Sequence, residues 1–236
     1  MVWQPRAGFR SGADAVFLAA AVPALPGQEV LDLGCGAGAA ALCLCARVPE
    51  ARVTGLELQP AYAALARRNA AENHAALTVI EGDVGAPPAA LRALSFDHVM
   101  MNPPYFRREP GGTAQDPGRE TALAESLPLA GWIATAIRRL RSEGWLTVIH
   151  RAERLADVLA ALDGRMGSVR IRPLAPRTGR EATNVIVQAR KGGRAPLRLL
   201  APLVLHRGDR HPGDAEHFTE TAAAILRDGA ALPMDR

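Results

Sequence analysis

The stretch Val30-Leu31-Asp32-Leu33-Gly34-Cys35-Gly36-Ala37-Gly38 decides the fold of this chain. Val30, Leu31 and Leu33 make a short buried strand, and three glycines at alternate positions then open a turn into the helical stretch Ala39 to Ala46. Glycine lets the backbone turn sharply and lets a ligand approach main-chain atoms that a Cβ would screen. The spacing is Gly-x-Gly-x-Gly, which differs from the Gly-x-Gly-x-x-Gly of the dinucleotide fingerprint. Alone, such a turn is also what a purely structural strand-to-helix connection looks like. A second signal, Asn102-Pro103-Pro104-Tyr105, follows directly after another apolar run.

Working outward, the flanking sequence alternates apolar runs with Ala-rich helical stretches, the pattern of a parallel sheet covered by helices. Expected strands are Glu29 to Leu33, Arg52 to Glu57, Leu77 to Ile80, Phe96 to Met101, Trp145 to Ile149, Ser168 to Arg172 and Thr183 to Ala189. Expected helices are Ala15 to Val22 with Asp14 as its cap, Ala39 to Arg47, Ala61 to Asn73 behind Pro60, a short one behind Pro87 and Pro88, Leu123 to Leu140, Ala152 to Leu162 and Thr219 to Arg227. Leu199 to Leu205 is a candidate edge strand. The fold class is therefore α/β. Neither an internal repeat nor a linker interrupts the chain, so 1–236 reads as one domain, with a capping segment at 1–28 and a C-terminal extension at 190–236.

With 236 residues, 48% of them hydrophobic and only 4% aromatic, the core must be built mainly from Ala, Leu and Val. The net charge is +4, and Lys191 is the sole lysine among 28 basic residues. That balance suits a polyanionic partner without establishing one. Cys35, Cys43 and Cys45 are an odd number without histidines at metal spacing, so they read as reduced packing residues of a cytosolic protein, with no metal expected. Arg6, Arg10 and Asp14 interrupt the N-terminal apolar run, which therefore lacks the form of a signal peptide. No segment has the roughly 20 uncharged apolar residues of a membrane span.

Ligands of open parallel sheets bind at the carboxyl ends of the strands, so the glycine turn, Glu57, Asp83 and the Asn-Pro-Pro-Tyr segment should face one crevice. Glu57, at the end of the second strand, is placed to accept both hydroxyl protons of a ribose, although a solvated strand-end carboxylate would look the same. Asp83 can accept from an adenine amino group, while Glu81 is equally suited to face solvent. The two prolines hold the Asn102 side-chain carbonyl and the Pro103 main-chain carbonyl as adjacent acceptors for a planar amino group. Tyr105 can stack on the attached π system, a contact worth about 1–3 kcal/mol for a base. The matching electrophile is the methyl sulfonium of S-adenosylmethionine. It would lie against Gly34, Gly36 and Gly38, with Asp32 in the region of the methionine amino group and Leu58 and Val84 beside the ribose and adenine carboxylates. No Ser-His-Asp set is evident, and His98, His150, His206, His211 and His217 fall in no ligand pattern; His150 alone ends a strand.

Together "LDLGCGAGAA", "GLEL", "EGD" and "NPPY" resemble the class I S-adenosylmethionine-dependent methyltransferases that act on exocyclic amino groups. "GFRSGADAVFLAAAVP", "GTAQDPGR" and "KGGRAPLRLLAPLVLH" resemble the bacterial tRNA1(Val) adenine-37 N6-methyltransferases. The resemblance implies a Rossmann-like seven-stranded sheet, mostly parallel with one antiparallel strand. It implies catalytic roles for Asn102, Pro103, Pro104 and Tyr105, and an opening segment around Arg10, Gly12 and Asp14 that encloses the methionine end of the cofactor. The implied partner is a tRNA, whose anticodon-loop adenine should be easier to deliver than a base in a duplex. The turns Pro173 to Arg180 and Arg190 to Arg198 are then candidates for gripping phosphates, and are equally what solvated hairpins look like. The loop 106–119, with Arg107, Arg108, Asp116 and Arg119, reads as substrate-side.

Three other readings stay open. Glutamine-amide methylation uses the same tetrapeptide, though enzymes of that kind usually carry a helical domain before the glycine turn. Amino groups of ribosomal RNA or DNA fit the same motif, and a cofactor-binding interaction protein would need no catalysis at all.

Overall fold

The computed structural model describes residues 1–104, 127–208 and 217–235. Tyr105, the loop 106–119 and His211 lie outside these residues.

Among the described residues nine strands form one sheet: β1 Glu29–Leu33, β2 Arg52–Glu57, β3 Leu77–Glu81, β4 Phe96–Met101, β5 Leu140–Arg151, β6 Met166–Ala175, β7 Asn184–Lys191, β8 Arg198–Leu199 and β9 Leu203–Val204. The seven expected strands lie in the order β3-β2-β1-β4-β5-β7-β6. Every pairing is parallel except those of β7, which runs against both β5 and β6. The count exceeds seven because β8 and β9 pair in succession with the outer side of β6. They act as one strand interrupted at Leu200 to Pro202, where a proline has no N–H to contribute.

The helices are α1 Ala13–Ala21, α2 Ala39–Arg47, α3 Pro60–Glu72, α4 Ala89–Arg92, α5 Leu129–Arg139, α6 Leu155–Ala161 and α7 Glu220–Asp228, with a 3-10 turn at Ala152–Arg154. Side chains of a strand point alternately to the two faces of a sheet, and the core divides accordingly. Val30, Val53, Met100, Ile149 and Ile186 pack with α1, α2 and α7 on one face. Leu31, Leu33, Leu56, Val99, Met101, Leu146 and Val148 pack with α5 on the other.

Two expectations change. Gly12, not Asp14, is the N-cap of α1, because the helix starts two residues earlier, at Ala13. The Asp14 carboxylate instead accepts from Asn184 Nδ2 at 2.9 Å, tying α1 to the start of β7. β5 begins at Leu140, not Trp145, and takes in the polar stretch 141–144, where Glu143 has a φ of 66°.

The C-terminal segment belongs to the core: Leu200, Leu203, Ala222, Ile225, Leu232 and Met234 are buried in the cluster that contains α1. Thr219 caps α7 by accepting from the Ala222 N–H at 3.2 Å. Ile225→Ala should therefore lower the single urea midpoint of the whole chain, by about 2–5 kcal/mol of stability. An unchanged main transition, with a separate early one, would instead make α7 an independent unit.

Candidate active site

Parallel pairing of β1 with β2 continues past the last residue of β1 and shapes the glycine turn. The Gly34 and Cys35 N–H groups both donate to the Leu56 carbonyl, at 2.8 and 3.0 Å. One residue on, the Gly36 N–H donates to Glu57 Oε2 at 2.9 Å, and Gln59 N–H donates to Glu57 Oε1 at 2.8 Å. Glu57 is only 6% exposed, and burial raises its pKa against the opposing pull of these backbone donors. Each carboxylate oxygen has a second lone pair, so the pair can still receive two hydroxyl protons.

The three glycines turn left-handed for different reasons. Gly34 has φ +70°, and a Cβ there would lie 2.7 Å from Trp132 Cη2 of α5. Gly38, φ +85°, is closed in by Leu77 and Ala66 at 3.2 and 3.4 Å. Only Gly36, φ +56°, faces open space within 4 Å, so it is the glycine of the three whose missing side chain leaves room for a ligand. Gly55 of β2 completes the turn from below, since a Cβ on it would lie 2.6 Å from Cys35 Sγ.

Asp32 is 2% exposed; its carboxylate takes the Ala41 N–H, and its Oδ2 has no hydrogen-bond partner. Burial, and then the nearby charge of Glu57, push its pKa up to about 7. A buried carboxylate oxygen without a donor fits a cationic ligand, and the amino and sulfonium groups of S-adenosylmethionine supply that charge. Asn102 follows Met101 at the end of β4, two residues beyond Met100, the register partner of Asp32. Asn102 and Pro104 are half-buried and Pro103 is buried.

Toward β3, Asp83 is exposed, and its Oδ1 accepts the Gly85 N–H at 2.7 Å. Val84 is buried, with its carbonyl held by Thr135 Oγ1 at 3.0 Å. Leu58, 40% exposed beside Glu57, offers an apolar surface. Glu81 pairs with Arg67 at 2.6 Å on the surface, the solvent-facing alternative. Gly12 and Arg10 are exposed on the segment that precedes α1, and the Phe9 carbonyl of that segment accepts from Tyr62 Oη at 3.1 Å.

His98 and His150 are both buried in the sheet. His98 Nε2 meets Gln28 Oε1 at 2.8 Å at the far edge of the sheet, and burial lowers its pKa to about 4. His150 Nδ1 accepts the Arg151 N–H at 2.8 Å, and burial, with Arg154 nearby, lowers it to about 4 as well. Burial likewise raises the Cys35 and Cys45 thiols, the latter to about 11, so both stay protonated. No cluster of metal-ligating side chains occurs among the described residues, and no helix among them is long and apolar enough to cross a membrane.

The two arginine turns do not share an edge. The β6–β7 turn lies at the carboxyl edge with the site, but Arg177 is buried and donates to the Arg207 and Gly208 carbonyls. Arg180 is exposed there. The turn after β7 opens on the opposite edge, about 26 Å away for a strand of eight residues. There Arg190 is held by the Glu143 carbonyl at 3.1 Å and Arg198 by the Asp235 carbonyl at 2.8 Å. The two turns therefore cannot both face a ligand seated at the site; the β6–β7 turn alone lies at its edge. Asn69 and Asn184 carry no signal in the sequence, each an isolated residue whose partner lies far along the chain.

Comparison with known proteins gives a consistent result. Residues 11–172 match the methyltransferase small domain family. The chain is 34% identical over 181 residues to a tRNA1(Val) (adenine(37)-N6)-methyltransferase of Porphyromonas gingivalis, covering 71% of this chain and 69% of that one. It is 30% identical over 192 residues to the Aeromonas hydrophila protein of the same name, covering 79% of each. Among solved structures, a predicted O-methyltransferase from Agrobacterium tumefaciens superposes with a TM-score of 0.76 at 32% identity, over 94% of this chain and all of that one. TrmN from Thermus thermophilus shares the fold at 20% identity and a TM-score of 0.53, over 76% of this chain and 48% of that one.

A carboxyl group whose folded pKa is raised binds its proton more tightly folded than unfolded. Its contribution is complete below the unfolded value of 3.8 and is lost as pH rises towards about 7. Asp32→Asn removes this dependence, so the urea stability of the variant relative to the native protein should be greater at pH 8 than at pH 4. An equal difference at the two pH values would place Asp32 in a solvated, unperturbed state.

Proposed function

Because this chain belongs to the methyltransferase small domain family and is an S-adenosylmethionine-dependent methyltransferase, we propose that it methylates N6 of an adenine in the anticodon loop of a tRNA, adenosine 37, in the cytoplasm. The observation that carries this reading is Asn102-Pro103-Pro104 at the carboxyl end of β4, beside Asp32 and the turn that Glu57 shapes. The relatives from Porphyromonas gingivalis and Aeromonas hydrophila, named for that reaction, supply the substrate.

When bound, S-adenosylmethionine supplies a methyl carbon already activated by its sulfonium charge. The chain holds that charge and the attached amino group near Asp32, accepts the ribose hydroxyls at Glu57, and receives the adenine between Leu58, Val84 and the free oxygen of Asp83. Arg10, Gly12 and Asp14 enclose the methionine end, and Gly36, between the packed Gly34 and Gly38, leaves room for the approach. On the other side, the Asn102 and Pro103 carbonyls accept the two N–H bonds of the target amino group and so direct its lone pair at the methyl carbon. Bound there, the cofactor would supply its methyl carbon to the amino nitrogen and keep the electrons of the C–S bond on its sulfur, while the proton shed by the nitrogen would leave past the Asn102 and Pro103 carbonyls to solvent. Stacking on the target base is the role that the sequence motif gives Tyr105, which lies outside the described residues. Positioning and a matched charge carry the catalysis, which suits a reaction whose electrophile needs no further activation.

A hydroxyl acceptor, as in the O-methyltransferase reading of the Agrobacterium protein, has one proton and would leave one of the two carbonyls unused. A planar amino group uses both.

Labelled methyl from S-adenosylmethionine should enter unmodified bulk tRNA, and nucleoside analysis should find it as N6-methyladenosine in one tRNA species. Asn102→Ala should reduce that rate by at least about 10²-fold, a loss of roughly 2.7 kcal/mol in transition-state stabilisation. Label in ribosomal RNA or in a protein glutamine, with none in tRNA, would replace the substrate and keep the chemistry.

A further inference from the structure

We infer that Asn69 is a positioning residue for the cofactor: its carboxamide locks the N-terminal segment to the glycine turn, so that the two sides of the cleft are set by one side chain. The inference rests on the assignment of that cleft to S-adenosylmethionine.

Asn69 lies in α3 and is completely buried. An asparagine so placed in an Ala-rich helix must have its donors and acceptor satisfied. Its Oδ1 accepts the Trp3 N–H at 2.7 Å, and its Nδ2 donates to the Trp3 carbonyl at 2.8 Å. The carboxamide thus pairs with one residue of extended chain as a neighbouring strand would. The second proton of Nδ2 goes to the Ala37 carbonyl at 2.9 Å. Ala37 sits between Gly36, the glycine with open space before it, and Gly38.

The rest of the segment is fastened in the same direction. Met1 pairs both ways with Asn73, the Arg68 guanidinium lies 4.1 Å above the Trp3 ring, and the Trp3 indole N–H donates to Glu72. Gln4 then clasps Ser11, accepting its N–H at 2.7 Å and donating to its carbonyl at 3.3 Å. Last, the Tyr62 hydroxyl reaches the Phe9 carbonyl. The segment therefore runs from the C-terminal end of α3 to its N-terminal end, which is the end at the carboxyl edge of the sheet. It arrives beside Glu57 and enters α1 at Gly12. Of all these fastenings, Asn69 alone also grips the glycine turn. Losing it frees the Ala37 carbonyl and the segment together, and the ordering that the side chain had already imposed must then come from the binding energy of the cofactor.

Binding of S-adenosylhomocysteine to the full-length protein, measured by calorimetry well below the melting temperature, tests this. Asn69→Ala should weaken binding on the order of tenfold or more, equivalent to about 1.4 kcal/mol. Asn69→Asp should do at least as much, because it sets a carboxylate oxygen against the two carbonyls. Asn73→Ala, which loosens the chain end and a bond to the Asn69 main-chain carbonyl but leaves the Asn69 carboxamide and its three bonds in place, should stay within about twofold of native. In turnover, KM for S-adenosylmethionine should rise while kcat at saturating cofactor and KM for RNA hold. Should Asn69→Ala fail to fold, Trp3→Pro removes the Trp3 N–H from an exposed position and should still weaken binding several-fold. Native affinity in both folded variants, or equal losses in Asn73→Ala and Asn69→Ala, overturns the role of Asn69. A native protein that gives no heat with S-adenosylhomocysteine overturns the cofactor assignment itself.

Discussion

The site depends on the bond between the Gly36 N–H and the Glu57 carboxylate. It extends the β1–β2 ladder beyond the strands, because the Leu56 carbonyl has already taken the two preceding N–H groups. The chain is led round in a left-handed turn with its N–H groups satisfied in sequence, which a buried turn requires. Glu57 is thereby both a wall of the turn and the terminal acceptor of a sheet. Substituting it would do more than remove a ligand contact, since Gly36 and Gln59 would each lose a buried acceptor.

The charge pattern of the cleft follows from the same geometry. Two buried carboxylates, Asp32 and Glu57, are both raised, chiefly by burial, and the charge of Glu57 adds to the cost of ionising Asp32. A cationic ligand relieves this strain by favouring the ionised form, so its binding and proton release are linked. The cleft is least comfortable without its ligand, a usual property of sites arranged for charge.

Most of the fold can be read from local sequence, since apolar runs bounded by glycine or proline set β1, β2, β4 and α2 at their observed limits. Pro60 likewise opens α3 as its fixed φ allows. What cannot be read locally depends on distant partners. The Asp14–Asn184 bond spans 170 positions, Trp3–Asn69 66 and Asn69–Ala37 32. Gly34 looks like a ligand-facing glycine until Trp132 is seen packed against it, and Arg177 looks like a phosphate contact until its guanidinium is found turned inward. In each case composition gives the residue type, and the tertiary arrangement decides its use.

The interrupted outer strand has a consequence for behaviour at high concentration. A long flat outermost strand offers a continuous row of unpaired donors and acceptors to a second chain. Here β8 and β9 each contribute two residues, separated by a stretch that ends in Pro202, and Arg198 stands at the entrance. No continuous row exists on that border for another chain to extend, so the sheet ends without inviting aggregation there.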